Sequence, residues 1–331
     1  MEKELFYDYF QNWFEVYREP ELCPVTKKKY YAATKTLKRL VPNLYVEDIT
    51  RRDMQKLINL YGKDHALGTV KGFYHMIKAC TDDAVWEGTI KIDPAHRIRL
   101  VSSKELTATK AKYLEKDQAE RLIEVLEKHD DAVSTLFDFD IRTGLRFAEL
   151  LGLTPKDIDL EKGTINVNKS WLYKLGKNAK FGETKNMYSH RVIPIDELAK
   201  NDLKKYIADC DENEPIFVVA LTKESTRKPE GKYLPIYDST LNHRLAQMCH
   251  EARVPRIGIH GLRHTHASLL FSAGISILSI SKRLGHGNTS TTEKVYVHLI
   301  NAQKDKDTIA MMNALNELGT KQIEKEPKEN V

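Results

Sequence analysis

Six side chains of this 331-residue chain have the types and the spacing for one reaction, the attack of a tyrosine on a phosphodiester. They are Arg146 in T-G-L-R-F-A-E-L, Lys185 in G-E-T-K-N, His260 and Arg263 in H-G-L-R-H, His286 in L-G-H-G-N, and Tyr296 in K-V-Y-V-H. The attack poses three problems. The tyrosine must lose a proton from a group whose reference pKa is about 10. The charge gathering on the phosphorane oxygens must be neutralised. The departing sugar oxygen must receive a proton. Arg146 and Arg263 suit the second task, because a guanidinium fork grips phosphate oxygens in a fixed geometry and keeps its charge. His260, three residues before Arg263, shares its side of a helix start and can donate to an oxygen or assist the tyrosine proton. Glycines flank His286 and let the backbone approach a phosphate closely. Lys185, on a turn, suits the acid for the leaving oxygen. Glu149, one helical turn from Arg146, suits a group that orients a catalytic residue from behind.

Each piece alone has a blander reading. An arginine in R-x-x-E is more often a surface ion pair. A lone G-H-G is usually a turn, and most tyrosines are half-buried core residues. His260, His264 and His266 suggest a metal cluster, but the glutamate of H-E-x-x-H is missing and His266 points elsewhere on a helix, so no metal is expected. The weight lies in the order and spacing of the whole set.

The elements that must position these residues follow from periodicity. Leu5, Phe6, Tyr9, Phe10, Trp13, Phe14 and Tyr17 fall on one wide helical face, better suited to a core than to base stacking. A second helix is expected from Thr26 to Leu40, a third from a Thr50–Asp53 capping box to Tyr61, and a fourth from Gly68 to Trp86. These four make a helical bundle over residues 1–95. Residues 96–112 are basic, small and polar, and read as a linker. A second, mixed domain is expected over 113–318, with helices at 116–128, 132–142, 146–151, 197–208, 239–251, 262–273 and 277–284 and one around Tyr296. Strands at 164–169, 171–174 and 191–195 predict a small antiparallel sheet. The fold class is thus mainly α with a small antiparallel β-sheet. The last residues, 319–331, read as a disordered tail.

Charge follows the same division. Residues 1–112 hold 20 Lys/Arg against 15 Asp/Glu, and the remainder is neutral. No acid falls between Glu21 and Glu47, so Lys27, Lys28, Lys35, Lys38 and Arg39 suit a phosphate-facing surface better than an ordinary solvated face. Arg97 and Arg99 extend that surface into the linker. The four cysteines have no C-x-x-C spacing, which suits free thiols in a reducing cytoplasm. No apolar run approaches the roughly 20 residues of a membrane span, and the N-terminus lacks a signal-peptide layout.

The set R-x-x-E, T-K-N, H-x-x-R, L-G-H and a tyrosine ten residues on resembles the catalytic set of the tyrosine recombinases, the phage integrase family. T-G-L-R-F-A-E-L-L-G-L, I-H-G-L-R-H-T-H-A-S-L-L and L-G-H-G-N-T-S-T-T-E-K-V-Y-V-H-L look most like integrases of temperate phages and conjugative transposons of Gram-positive bacteria. The resemblance implies a helical core-binding domain and a catalytic domain that clamp double-stranded DNA at core attachment sites. It implies a covalent 3′-phosphotyrosine, no metal or nucleotide cofactor, and a homotetramer on DNA that forms from free monomers and passes through a Holliday junction. It also implies an excisionase or a host DNA-bending protein as further partners. Many such integrases carry an additional small domain that grips arm sites. The sequence opens on the first core-binding helix, and arm-site binding is not claimed for it.

Two other readings compete. A type IB topoisomerase uses similar tyrosine chemistry without paired sites, and a DNA-binding regulator keeps the fold without the chemistry. The spacing from Arg263 to Tyr296 favours the recombinase over the first, and six competent residues favour it over the second. After Tyr296, Ile309, Met312, Leu315 and Leu318 form an apolar stripe behind a polar tether. Such a helix either folds back on its own domain or docks in a neighbouring protomer.

Overall fold

Burial of the N-terminal aromatic stripe sets the first core. The computed structural model describes residues 3–103, 111–184, 187–287, 311–313, 315 and 316. In it α1 (Phe6–Tyr17) buries Phe6, Phe10, Trp13 and Phe14, each worth roughly 1.5–3 kcal/mol of transfer free energy. They pack with α2 (Pro24–Leu40), α3 (Arg51–Gly62) and α4 (Leu67–Trp86) around Leu37, Met54, Leu57, Ile58, Val70 and Ile77. Phe14 stacks on Tyr30 at 4.5 Å between ring centroids. These four aromatics thus face inward, whereas Tyr17 of the same expected face is exposed. The expected Thr50–Asp53 capping box is present at the start of α3. Helix α2 starts at Pro24, two residues before the expected Thr26. Proline at the first helical position has its φ preset and lacks only an N–H that would go unpaired there.

Residues 96–103 differ from the expected linker. They are strapped along α3, as Gln55 pairs with Arg99 through Arg99 N–H to Oε1 (2.9 Å) and Nε2–H to the Arg99 carbonyl (2.8 Å). Arg51 Nε donates to the His96 carbonyl at 2.9 Å, and Ser103 N–H to the Gly62 carbonyl at 3.0 Å. A side chain at Gly62 would collide with the Val101 carbonyl at 2.3 Å. Polar, non-periodic sequence here means backbone held by side chains of a neighbouring helix. The chain divides into two compact units, 1–109 and 110–331.

The second unit opens with α5 (Lys116–Lys128) and α6 (Ala132–Thr143). Next come α7 (Phe147–Leu151), β1 (Ile158–Asp159), β2 (Thr164–Val167), β3 (Ser170–Trp171), β4 (Phe181–Gly182) and β5 (Arg191–Pro194). The unit continues with α8 (Glu197–Ile207), α9 (Ile216–Lys223), α10 (Asp238–Glu251), α11 (Ile259–Ser272) and α12 (Ile277–Leu284). Strands β1, β2 and β5 form an antiparallel sheet in that order, with Ile165 opposite Ile193 and Val167 opposite Arg191. Strands β3 and β4 form a separate pair. The expected strand at 171–174 stops at Trp171, and a 3-10 stretch follows from Tyr173. The core gathers Phe137, Phe139, Leu150, Phe217, Leu245 and Leu262, with α6 packed against α11.

Tyr296, Lys185, the apolar positions Ile309 and Leu318, and the 319–331 tail lie outside the described residues. Met312 and Leu315 are helical and exposed.

Candidate active site

Helix α6 ends at Gly144, whose φ of 63° is left-handed. A β-carbon there would meet the His266 ring at 2.4 Å, so the turn needs glycine twice over. The turn delivers Arg146 to the N-cap of α7. Its backbone N–H donates to Glu149 Oε2 at 3.0 Å, and its Nη1 to Glu149 Oε1 at 2.6 Å and to Ser189 Oγ at 2.9 Å. Its Nη2 donates to the Gly285 carbonyl at 2.7 Å.

Arg263 comes from the second turn of α11 and is buried. It donates through Nη1 to the Gly144 carbonyl at 2.8 Å, and through Nη2 to the Leu284 carbonyl at 2.6 Å and His286 Nε2 at 3.0 Å. A third guanidinium, Arg191 at the start of β5, donates through Nε to the Arg283 carbonyl at 2.6 Å. Three consecutive carbonyls at the end of α12 thus accept from three different arginines. The cause is general. The last carbonyls of a helix lack partners inside it, and they form the negative end of its dipole. Gly285, with φ of 68°, turns the chain left-handed and presents the last of the three carbonyls.

The electrostatics follow from that packing. Burial pushes the Glu149 carboxyl up, but Arg191 and Arg146 beside it outweigh burial and hold it below its usual range. Burial first, and then Arg146, bring Arg263 down to about 9, which leaves it charged at neutral pH. Burial, then Arg263 and Arg146, lower His286 to about 4. His286 is therefore neutral. Its Nε2 faces the Arg263 donor, which places the ring proton on Nδ1. Three guanidiniums surround the Glu149 carboxylate, and burial pushes the nearby Asp140 carboxyl up toward its neutral form, so the site is strongly positive and fit for a phosphate that gains charge as it reacts.

The structure thus brings Arg146, Glu149, Arg263 and His286 together. His260, itself exposed, sits on the otherwise buried first turn of α11, its ring edge-on to His264 at 4.6 Å. Lys28, Lys35, Lys38 and Arg39 are exposed along α2, and Lys27 is half-buried 3.4 Å from Glu19. Arg97 and Arg99 are exposed on the strap along α3. Among the described residues no three His, Cys, Asp or Glu side chains gather as a metal-holding group.

Reading the sequence missed Arg191, Ser189 and Arg283. Arg283 donates through Nε to His266 Nε2 at 2.9 Å and through Nη1 to the Pro194 carbonyl at 3.1 Å, tying α12 to α11 and β5. The available signal was an arginine opening the otherwise apolar strand R-V-I-P.

Comparison with known proteins agrees with the geometry. The sequence profile of the phage integrase family matches residues 112–303. The chain is 36% identical over 164 residues to the integrase of Staphylococcus phage L54a, covering 47% of this chain and 45% of that protein. It thus spans less than half of that relative. It is 26% identical over 301 residues to the ICEBs1 integrase of Bacillus subtilis, covering 86% of this chain and 78% of the relative. In fold it is similar to the Tn1549 transposon integrase in complex with a circular intermediate DNA. That likeness has a TM-score of 0.73 and 18% identity, and covers 92% of this chain and 99% of the other. A lambda integrase tetramer bound to a Holliday junction aligns with a TM-score of 0.62 at 18% identity, over 85% of this chain and 77% of that one.

Proposed function

The chain belongs to the phage integrase family of tyrosine site-specific recombinases, and from that premise we propose that it cuts and rejoins duplex DNA through a covalent phosphotyrosine. The carrying observation is the convergence of Arg146, Arg263 and His286 on the end of α12. In this reading the Tyr296 hydroxyl attacks the phosphorus, and the bond to the 5′ oxygen breaks. The phosphate stays on the 3′ end, now esterified to tyrosine. Arg146 and Arg263 neutralise the phosphorane oxygens, His286 and His260 hold or move protons at those oxygens and at the tyrosine, and Lys185 protonates the departing 5′ oxygen. Because one phosphodiester replaces another, a second 5′ hydroxyl can reverse the step on a new partner with no energy source.

The DNA-bound state of the similar folds supports duplex DNA as the substrate class. A tetramer that passes through a Holliday junction extends the same reading, with integration and excision of a mobile element as its outcome. The basic face of α2, with Arg97 and Arg99, supplies phosphate contacts that hold the site.

Arg146→Lys and Arg263→Lys test this reading. Each keeps a charge and loses the fork. Single-turnover cleavage of a nicked substrate should fall about 10²-fold or more, the scale of losing one transition-state donor, while DNA affinity changes little. Equal losses in cleavage and affinity would mean that these arginines only position DNA.

A further inference from the structure

Arg191 spends each of its guanidinium nitrogens on the protein. Nε donates to the Arg283 carbonyl at 2.6 Å, Nη1 to the Ser189 carbonyl at 2.9 Å, and Nη2 to Glu149 Oε2 at 3.0 Å. Its side chain is only 8% exposed. These three bonds arrange it to hold protein groups. What it holds is specific. Glu149 is the carboxylate that also takes the Arg146 Nη1 donor, and Ser189 is the residue whose hydroxyl accepts from Arg146.

The charge balance gives this arrangement a consequence for the reaction. A buried carboxylate bonded to Arg146 alone would offset most of the positive charge on that guanidinium. With Arg191 sharing the carboxylate, one positive charge survives in the trio. The attacked phosphodiester gains negative charge as the phosphorane forms, so that surplus counts more in the transition state than in the bound ground state. Removing it should slow the chemical step and spare DNA affinity.

We propose that Arg191 is a positioning residue for strand cleavage: it balances Glu149, so that the charge of Arg146 faces the reacting phosphate, and it fixes Ser189 and the end of α12 around that guanidinium. This rests on the reading of the site as a phosphoryl-transfer centre.

The test is single-turnover formation of the covalent adduct on a nicked suicide substrate, with DNA affinity and melting temperature measured on the same proteins. Arg191→Gln should cleave about 10- to 100-fold more slowly, by analogy with losing the outer partners of metal ligands, at nearly unchanged affinity. Arg191→Lys, which restores charge without the fork, should recover part of the rate. The double variant Arg191→Gln, Glu149→Gln should cleave faster than Arg191→Gln alone, because no carboxylate is left to offset Arg146. A purely structural role predicts the reverse, with a further loss in the double variant and no gain from lysine. That result, or wild-type cleavage by Arg191→Gln, overturns the proposal. If Arg191→Gln does not fold, Arg191→Lys decides. Slowed cleavage at unchanged affinity and melting temperature supports the proposal, and losses in proportion overturn it. Absence of an adduct with the wild-type chain would instead refute the phosphotyrosine reading itself.

Discussion

His266 shows how a residue suggestive of chemistry is consumed by structure. It lies two residues from His264 and six from His260, in a run that invites a metal. The ring is 5% exposed. Its Nδ1 meets the Ile141 carbonyl at 2.7 Å, and its Nε2 accepts from Arg283 Nε at 2.9 Å. Burial first, and then Arg283, lower its pKa to about 3. The sign of the consequence is fixed. An unfolded histidine takes up a proton near pH 6.5, while the folded ring stays neutral to about pH 3, so in that window the unfolded state binds more protons. The contribution of His266 is complete above pH 6.5 and is lost as pH falls toward 3. Burial pushes the carboxyls of Asp140 and Asp202 up, and they act in the opposite sense, so the readout is the difference between variant and parent. His266→Gln should lower the melting temperature at neutral pH and flatten its decline between pH 6.5 and 4. An unchanged slope would show that this ring is not the buried neutral strut described.

At the scale of elements, α2 carries the clearest untested surface. Lys28, Lys35, Lys38 and Arg39 are exposed on it, and the expectation is that they meet DNA phosphates. Exchanging these four and Lys27 for glutamine should flatten the slope of log affinity against log salt by roughly 0.9 for each phosphate no longer neutralised. An unchanged slope places the phosphate-binding side chains elsewhere. The elements also show what sequence conveys. Strongly periodic helices such as α1, α5 and α12 were legible, because one face is apolar and the other is not. Helix α9 was not. Ile216, Phe217, Val218, Val219 and Ala220 are all buried, and a helix buried all round has no period to read. The two-residue strands β1 and β4 are too short to show an alternation and are defined only by pairing, as Ile158 with Ile165 and Trp171 with Phe181. Motif order in the sequence pointed to Arg146, Glu149, Arg263 and His286. It could not point to the α12 carbonyls that gather three arginines, because a backbone acceptor has no residue type. Arg191 stayed hidden for a related reason: its role depends on Glu149, forty-two residues away and brought near only by the fold.

At the scale of the molecule, the chain divides into two compact units, and its positive excess lies in residues 1–112 while the remainder is neutral. In the proposed function this bulk charge serves to hold DNA. In the second unit, positive charge is concentrated locally by burial, where arginines share one carboxylate and the end of one helix. No helix among the described residues is long and apolar enough to cross a membrane. In the proposed mechanism this concentrated charge serves an attack by Tyr296. The most direct measurement is incubation of the full chain with a nicked suicide substrate that carries a candidate attachment site, followed by peptide mapping of any covalent adduct. An adduct is expected on the peptide that contains Tyr296, and none with Tyr296→Phe, which should still bind the DNA. A normal yield of adduct with Tyr296→Phe, or an adduct mapped to another residue, would contradict it.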